Sequence, residues 1–444
     1  SDNMQLEGGS ERRVIADLHI HSRFSRATSM RMNIDEITRF AETKGLTVVG
    51  TGDFTHPKWH KELKDNLVGD SEEELYKPAS KPDSSLRYMI TGEVCTIFNI
   101  GNTAKKIHHL ILSPSLETAD QINDRLAPHG DLVSDGRPVL DMTAPQLVEE
   151  IMEVSSGNFV IPAHVWTPWF SLFGALSGFD RIEDCYQDMT KHIKALETGL
   201  SSDPPMNWRL SALDKYTLVS NSDCHSPWPW RIGREANVFE LKALTYHEII
   251  DAISRKDLSR IKFTIETDPA YGKYHWTGHR RCQISLPPKR AIEMRNRCPV
   301  CRRQLTKGVE QRVEELADRP VGHKSERFPD YVRLLPLSEI ISTILGVTYP
   351  GASSVWTIYN TLVSKFGDEY TVLMYAPLEE LKECVEAEIA DAIVRVREGS
   401  VKVIPGYDGV YGQMTFFDDG SFREEEQKEE TSNRPGQRNL SEYV

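Results

Sequence analysis

Over the first 240 residues, short apolar runs alternate with helix-length amphipathic segments, and most runs meet a residue able to bind a metal. Val14-Ile-Ala16 leads into Asp17-Leu-His19-Ile-His21-Ser22, Leu46-Thr-Val-Val-Gly50 into Asp53, and Tyr88-Met-Ile90 into Glu93. Further on, His109 starts His-Leu-Ile-Leu, and His164 ends Phe159-Val-Ile-Pro-Ala-His. Glu197 follows His192-Ile-Lys-Ala-Leu196, and Tyr216-Thr-Leu-Val219 runs into Asn221-Ser-Asp223-Cys-His225. Runs of about five apolar residues, separated by helical spacing, predict parallel strands whose carboxyl ends present the site residues. Barrels built this way carry their chemistry at that face. Ser29 to Ala41, then Gly45, has a polar start, helical spacing and a glycine stop, which predicts a packing helix.

On a strand, residues two apart share a face, so His19 and His21 converge, as do Asp223 and His225. Imidazoles beside carboxylates suit a divalent transition metal. A lone His-x-His reads more simply as a surface pair. Repetition at successive strand ends instead predicts one centre built from His19, His21, Asp53, Glu93, His109, His164, Asp223 and His225. Eight ligands exceed the needs of one ion, so two or three divalent cations (Zn2+, Mg2+ or Mn2+) are expected. Glu93 and Asp223 are the candidate bridges. A hydroxide generated there, from water whose pKa falls to about 7, would attack phosphorus. His225 or His164 could instead protonate the leaving group.

The segment 266–320 has a different character. His279-x-x-Cys282 and Cys298-x-x-Cys301 present two chelating turns at the separation of a structural Zn2+ site, with His275 competing for the histidine position. After it, Leu334 to Leu345 and Leu378 to Ile393 read as amphipathic helices. The expected organisation is a barrel over 13–265, a zinc-binding module over 266–320, a mainly helical domain over 321–420 and a disordered acidic tail over 421–444.

At 444 residues the chain is too long for one ordinary core. No apolar stretch reaches membrane-spanning length. Seven widely spaced cysteines do not form a disulfide framework, so a reducing cytoplasm is the expected setting. The first ten residues lack a signal pattern and have the look of a cloning remnant. A net charge of −13 argues against nucleic acid until its distribution is considered. From Tyr271 to Arg333 basic residues outnumber acidic ones about two to one, with Arg280 and Arg281 beside the chelating turns. Such a patch suits a phosphate backbone.

Asp-Leu-His-Ile-His-Ser, Thr-Gly-Asp53, Gly-Glu93, His109-Leu-Ile-Leu, Pro-Ala-His164 and Asn-Ser-Asp223-Cys-His225 resemble, in order, the PHP phosphoesterases. Within that superfamily the chain most resembles endonuclease Q. The longer strings are Gly52-Asp-Phe-Thr-His-Pro57, Pro162-Ala-His-Val-Trp-Thr-Pro-Trp169, Glu197-Thr-Gly-Leu-Ser-Ser-Asp-Pro204 and Pro405-Gly-Tyr-Asp-Gly-Val-Tyr-Gly412. The likeness extends from about residue 13 to about 417. It implies a distorted (β/α)7 barrel and a DNA-repair endonuclease. Such an enzyme cuts 5′ of deaminated bases (uracil, hypoxanthine, xanthine) or abasic sites, leaving 3′-hydroxyl and 5′-phosphate ends. Ser25-Arg26-Ala27 departs from the PHP pattern, where an acidic residue commonly follows His-x-His, and this leaves one metal position short of a ligand or filled differently.

Trp166, Trp169 and Phe170 after His164 are candidates to wall a base pocket, with an apolar loop packed under the barrel rim as the competing reading. Glu197, Ser201, Ser202 and Asn207 have the look of a substrate loop, with helix capping by Ser202 or Asp203 as the competing reading. Arg280 and Arg281 are candidate phosphate contacts. A small-molecule phosphatase and an inactive nucleic-acid-binding adaptor are the alternative functions. Gln413-Met-Thr-Phe-Phe417 resembles peptides that dock on sliding clamps, against the reading of a final strand.

Overall fold

In the computed structural model, which describes residues 10–69, 75–324 and 327–416, the apolar runs form strands, most of them in one nine-stranded sheet. Its order is Asp330–Arg333, Ile261–Glu266, Ala236–Leu241, Arg12–Asp17, Val48–Gly50, Arg87–Ile100, Thr103–Ser113 and Phe159–Pro162, with Val139–Asp141 beside Arg87–Ile100. Ala195–Glu197 and Thr217–Val219 form a separate parallel pair. This pair closes the ring: the Val165 N–H donates to the Glu197 carbonyl and the His21 N–H to the Cys224 carbonyl, both at 3.0 Å. The result is the distorted barrel anticipated from the sequence. Val14, Ala16, Val48, Met89, Leu110, Leu112, Ile161, Ala195 and Val219 belong to one buried cluster, while Ile15 belongs to the larger cluster that includes the helices. Each fully buried aliphatic side chain of this size contributes roughly 1.5–3 kcal/mol.

Two strands depart from the expected parallel set, and one of them, Ala236–Leu241, runs antiparallel to both Arg12–Asp17 and Ile261–Glu266. The other, Thr103–Ser113, runs antiparallel to both neighbours, because Gly101-Asn102 makes a two-residue hairpin turn with Gly101 at φ 58°. The early helix spans Ile34–Lys44, with Asn33 rather than Ser29 at its start and Gly45 at φ 103° as its stop. The expected helix over 378–393 is two helices, Leu378–Cys384 and Ala387–Arg397, separated by extended Val385. An unanticipated helix, Ser353–Phe366, packs beside Leu337–Leu345. Buried ion pairs fasten this helical part to the barrel: Lys44 Nζ to Glu369 at 2.6 Å and Arg234 to Glu339 at 2.7 Å.

The chain then returns to the segment expected to bind zinc. The Gly406 N–H donates to the Ala270 carbonyl and the Gly412 N–H to the Tyr271 carbonyl. The final-strand reading of Gln413–Thr415, rather than the clamp-peptide one, matches the structure here. Gln413–Thr415 pairs with Lys402–Ile404 as a strand and Phe416 is buried, so its ring packs in the core rather than being offered to a partner. Phe417 and the tail over 421–444 lie outside the described residues. Among those described, no helix is long and apolar enough to cross a membrane.

Candidate metal centre

His19 and His21 leave the Arg12–Asp17 strand two apart and point to the same place, where Glu93 meets them. Glu93 Oε1 lies 3.2 Å from His19 Nε2 and 3.1 Å from His21 Nε2, and its Oε2 lies 3.0 Å from His164 Nε2 and 3.2 Å from His108 Nδ1. Asp223 Oδ1 approaches His21 Nε2 at 2.7 Å and His19 Nε2 at 3.2 Å. Two groups result, His19-His21-Glu93-Asp223 and Glu93-His108-His164, each with ligand atoms within 4.8 Å of one another and with Glu93 in common.

The donor set fits divalent cations. His19 Nε2 is buried and has no hydrogen-bond partner, yet it faces two carboxylates. Burial alone would lower the His19 pKa, but Glu197, Asp223 and Glu93 outweigh it and hold it well above the usual imidazole value. Burial likewise opposes ionisation of Glu93, and His19, His108 and Arg137 hold its carboxyl well below the ordinary range. The carboxylates thus draw positive charge onto His19, His21 and His164, while burial lowers the pKa of His108 to about 4.

His109 is the principal correction. Its Nε2 lies 2.8 Å from Thr96 Oγ1 and its Nδ1 2.9 Å from the Tyr186 hydroxyl, on the side of the strand away from Glu93. Glu93 pairs with Leu110 and Cys95 with His108, so His108 shares the Glu93 face and His109 does not. Because the strand is buried on both faces here, the alternation that would separate the two histidines is invisible in the sequence. The signal that could have raised the question was Gly101-Asn102, a hairpin turn that reverses the strand.

Other expected residues sit beside the groups rather than in them. Asp53 lies behind His21: Oδ1 is 3.4 Å from His21 Nδ1, and Oδ2 accepts from the Ser22 N–H, the Ser22 hydroxyl and the Ser25 hydroxyl. The His225 ring stacks on His21 at 4.4 Å, and burial, reinforced by the charge of His21, lowers its pKa to about 4. Glu197 is not a substrate contact. It is fully buried, 2.9 Å from His19 Nδ1, and accepts from the His164 N–H at 3.0 Å and from Asn221 Nδ2 at 2.9 Å. A carboxylate on the outer nitrogen of a ligand histidine fixes the ring's tautomer and orientation.

Trp166 and Asn207 are also corrected: Trp166 Nε1 donates to Asn207 Oδ1 at 2.8 Å inside the core. Ser202 is buried, donating to the Thr198 carbonyl at 2.7 Å, and Asp203 rather than Ser202 caps the helix Pro204–Trp208. Ser201 is half-buried. Trp169 is 41% exposed and meets Tyr274 edge-on at 5.2 Å, while Phe170 stacks on His108 at 4.8 Å. Arg280 and Arg281 are exposed, as are Lys289, Arg290, Arg295, Arg297, Arg302 and Arg303. The same segment holds a third group, His279-Cys282-Cys298-Cys301, whose ligand atoms also lie within 4.8 Å of one another. His275 pairs with Glu310 at 3.1 Å and is no part of that group.

The family model described as the MJ0043 C-terminal domain matches residues 336–400. The uncharacterized protein MJ0043 of Methanocaldococcus jannaschii is 34% identical over 256 residues, 56% of this chain, which spans about a third of that protein's length (31%). The uncharacterized protein YqxK of Bacillus subtilis is 28% identical over 418 residues, covering 91% of this chain and 99% of that protein. Among solved structures, the lesion-specific endonuclease PfuEndoQ of Pyrococcus furiosus matches with a TM-score of 0.81 at 33% identity, over 94% of this chain and 99% of that one. An endonuclease Q in complex with a 27-mer duplex substrate, with an abasic lesion at the active site, matches at 0.80 and 34%, over 92% and 98%.

Proposed function

Because this chain belongs to the endonuclease Q family of metal-dependent nucleases, we propose that it hydrolyses the DNA phosphodiester 5′ of a deaminated base (uracil, hypoxanthine or xanthine) or an abasic site. The observation that supports the reading is the pair of His/carboxylate groups that share Glu93 and could each hold a cation, together with an exposed basic segment. In the reaction, water oxygen adds to phosphorus, the bond from phosphorus to O3′ breaks, and the proton is taken up by O3′. The products are a 3′-hydroxyl and a 5′-phosphate. His19, His21, Glu93, Asp223, His108 and His164 would hold the divalent cations, whose chemistry would be to lower the pKa of water towards about 7 and to offset charge on the phosphate.

The remaining residues have distinct tasks in this reading. Glu197 and Asp53 hold the rings of His19 and His21 from behind. Trp169 and Phe170, on the loop after His164, offer aromatic surface to a displaced base. A damaged base pairs weakly, which lowers the cost of extruding it. The cations from Arg280 to Arg303 follow the backbone without reading sequence. His279, Cys282, Cys298 and Cys301 would hold one structural Zn2+, a closed four-ligand site that supplies folding energy.

The test is incision of end-labelled duplexes carrying uracil, hypoxanthine, xanthine or an abasic site, beside an undamaged duplex, in Mg2+ or Mn2+. Selective cutting 5′ of the lesion is expected. Equal cutting of all duplexes, or none, refutes the reading. Metal analysis should show separate classes of ion, one lost in Asp223→Asn and the other in Cys301→Ser.

A further inference from the structure

The loop over residues 131–138 brings to the centre a cation that no strand end supplies. Arg137 Nη1 lies 3.4 Å from Glu93 Oε1, the oxygen that also faces His19 and His21. Glu93, His19 and His21 are buried, but 31% of the Arg137 side chain meets solvent, so its guanidinium stands where a ligand would enter.

That position is built into the chain. The Arg137 and Arg26 N–H groups both donate to Asp135 Oδ1, at 3.1 and 3.2 Å. The Gly136 N–H donates to the Phe24 carbonyl at 3.0 Å, and the Thr55 hydroxyl donates to the Gly136 carbonyl at 3.3 Å. A Cβ at Gly136 would stand 2.4 Å from both Asp53 Oδ2 and Ser25 Oγ, so only glycine lets the loop press against the carboxylate behind His21.

We propose that Arg137 binds a non-bridging oxygen of the scissile phosphodiester, as the third positive charge of the site beside the two cation positions that share Glu93. Cations held by the two groups that share Glu93 would compete with the guanidinium for that carboxylate. An incoming phosphate offers the guanidinium an anionic partner. The planar fork of a guanidinium matches phosphate oxygens, and a fixed positive charge at a phosphoryl centre is worth most where charge accumulates in the transition state.

The proposal rests on the phosphodiesterase reading, so its test includes a readout independent of incision. Metal-loaded wild type, Arg137→Ala and Arg137→Lys are compared for metal content, affinity for inorganic phosphate by calorimetry, and single-turnover incision of an abasic duplex. Arg137→Ala should keep the wild-type metal content, bind phosphate at least tenfold more weakly and cut at least a hundredfold more slowly, with partial rescue by added guanidinium. Arg137→Lys, which keeps the charge and the fold but not the fork, should fall between. Wild-type phosphate affinity in Arg137→Ala overturns the proposal and leaves Arg137 as a counter-ion of Glu93. Loss of metal in either variant overturns it as well, by moving the role of Arg137 to the metal groups. If wild type cuts no lesion while Arg137→Ala still weakens phosphate binding, the DNA reading falls and the anion site stands.

Discussion

Replacing the neighbouring histidines one at a time separates the centre from its scaffold. In His108→Ala the group Glu93-His108-His164 loses one of its donors, 3.2 Å from Glu93 Oε2. Loss of a residue that only orients a ligand costs about 10–100-fold in metal affinity or activity, so loss of a ligand itself should cost at least about 100-fold. In His109→Ala the hydrogen bonds to Thr96 and Tyr186 disappear, each worth about 1 kcal/mol. The buried Tyr186 hydroxyl is then left without this partner, which adds a further cost of roughly 1–3 kcal/mol. Thr96 keeps its donation to the Ile107 carbonyl at 3.4 Å, so no second penalty is counted. The sum is about 3–5 kcal/mol, or a fall in Tm of roughly 3–5 °C for a chain of this length. Metal content, single-turnover incision and thermal unfolding are measured on both variants. His108→Ala should lose metal and incision with the smaller shift in Tm, and His109→Ala the reverse. A His109→Ala protein that loses its metal while His108→Ala keeps it would refute the strand register on which the centre is built.

Glu197→Gln keeps the shape but removes the carboxylate from His19 Nδ1, and should weaken catalytic metal binding about 10–100-fold in equilibrium dialysis; unchanged affinity would deny Glu197 that role. Lys44→Met leaves Glu369 buried without its cation, though Tyr359 and Leu337 still donate to it, and should cost about 3 kcal/mol in thermal or denaturant unfolding; a loss below about 1 kcal/mol counts against the pair. Burial pushes the carboxyl of Glu266 up to about 7, and with Glu266 nearby pushes Glu235 well above the carboxylate range. Above the ordinary value of 4.5 the unfolded chain releases a proton that the folded chain keeps, so stability falls as pH rises from about 4.5 to about 7. Glu266→Gln should flatten that window, by up to about 3 kcal/mol in unfolding measured across it, and an unchanged slope would remove Glu266 as its source.

Where alternation or fixed spacing carries the information, the site can be read from the sequence. His19 and His21 are two apart on a strand, and the two Cys/His turns are chelating units by spacing alone, so both sets converge without knowledge of the whole fold. His108 could not be distinguished from His109 in the same way. Ile107, His108, His109 and Leu110 are all buried, and only pairing with Arg87–Ile100 decides which histidine shares the face of Glu93. Glu197, Trp166 and Asn207 belong to the same class of error. Each is polar or amphipathic in a string that suggests a substrate, and each finds its partner across the barrel at a sequence separation no local rule covers. Arg137 stayed hidden because its loop has no periodicity, and its meaning depends on how closely Gly136 approaches Asp53.

The same long-range contacts explain why the barrel and the Cys/His segment belong to one machine. The loop that follows His164 is gripped by the helix Val309–Leu316. Arg312 Nε donates to the Phe173 carbonyl at 2.9 Å, and its Nη2 donates to the Phe179 carbonyl at 3.1 Å and to Asp180 Oδ1 at 2.7 Å. Tyr274 meets Trp169 on that loop, and Phe170 stacks on His108. The helix is in turn seated on the segment by Gln311, which accepts from the Thr277 hydroxyl and donates to Asn296 Oδ1 at 2.7 Å. One helix thus links the Cys/His segment to the loop whose Phe170 ring stacks on His108. In the proposed reading, losing a metal from the Cys/His group would leave the donors around Glu93 in place but free the loop beside them. Cys301→Ser and Asp223→Asn, each removing a donor from a different group, should therefore both slow incision, the first by loosening the loop after His164 and the second by weakening the group around Glu93.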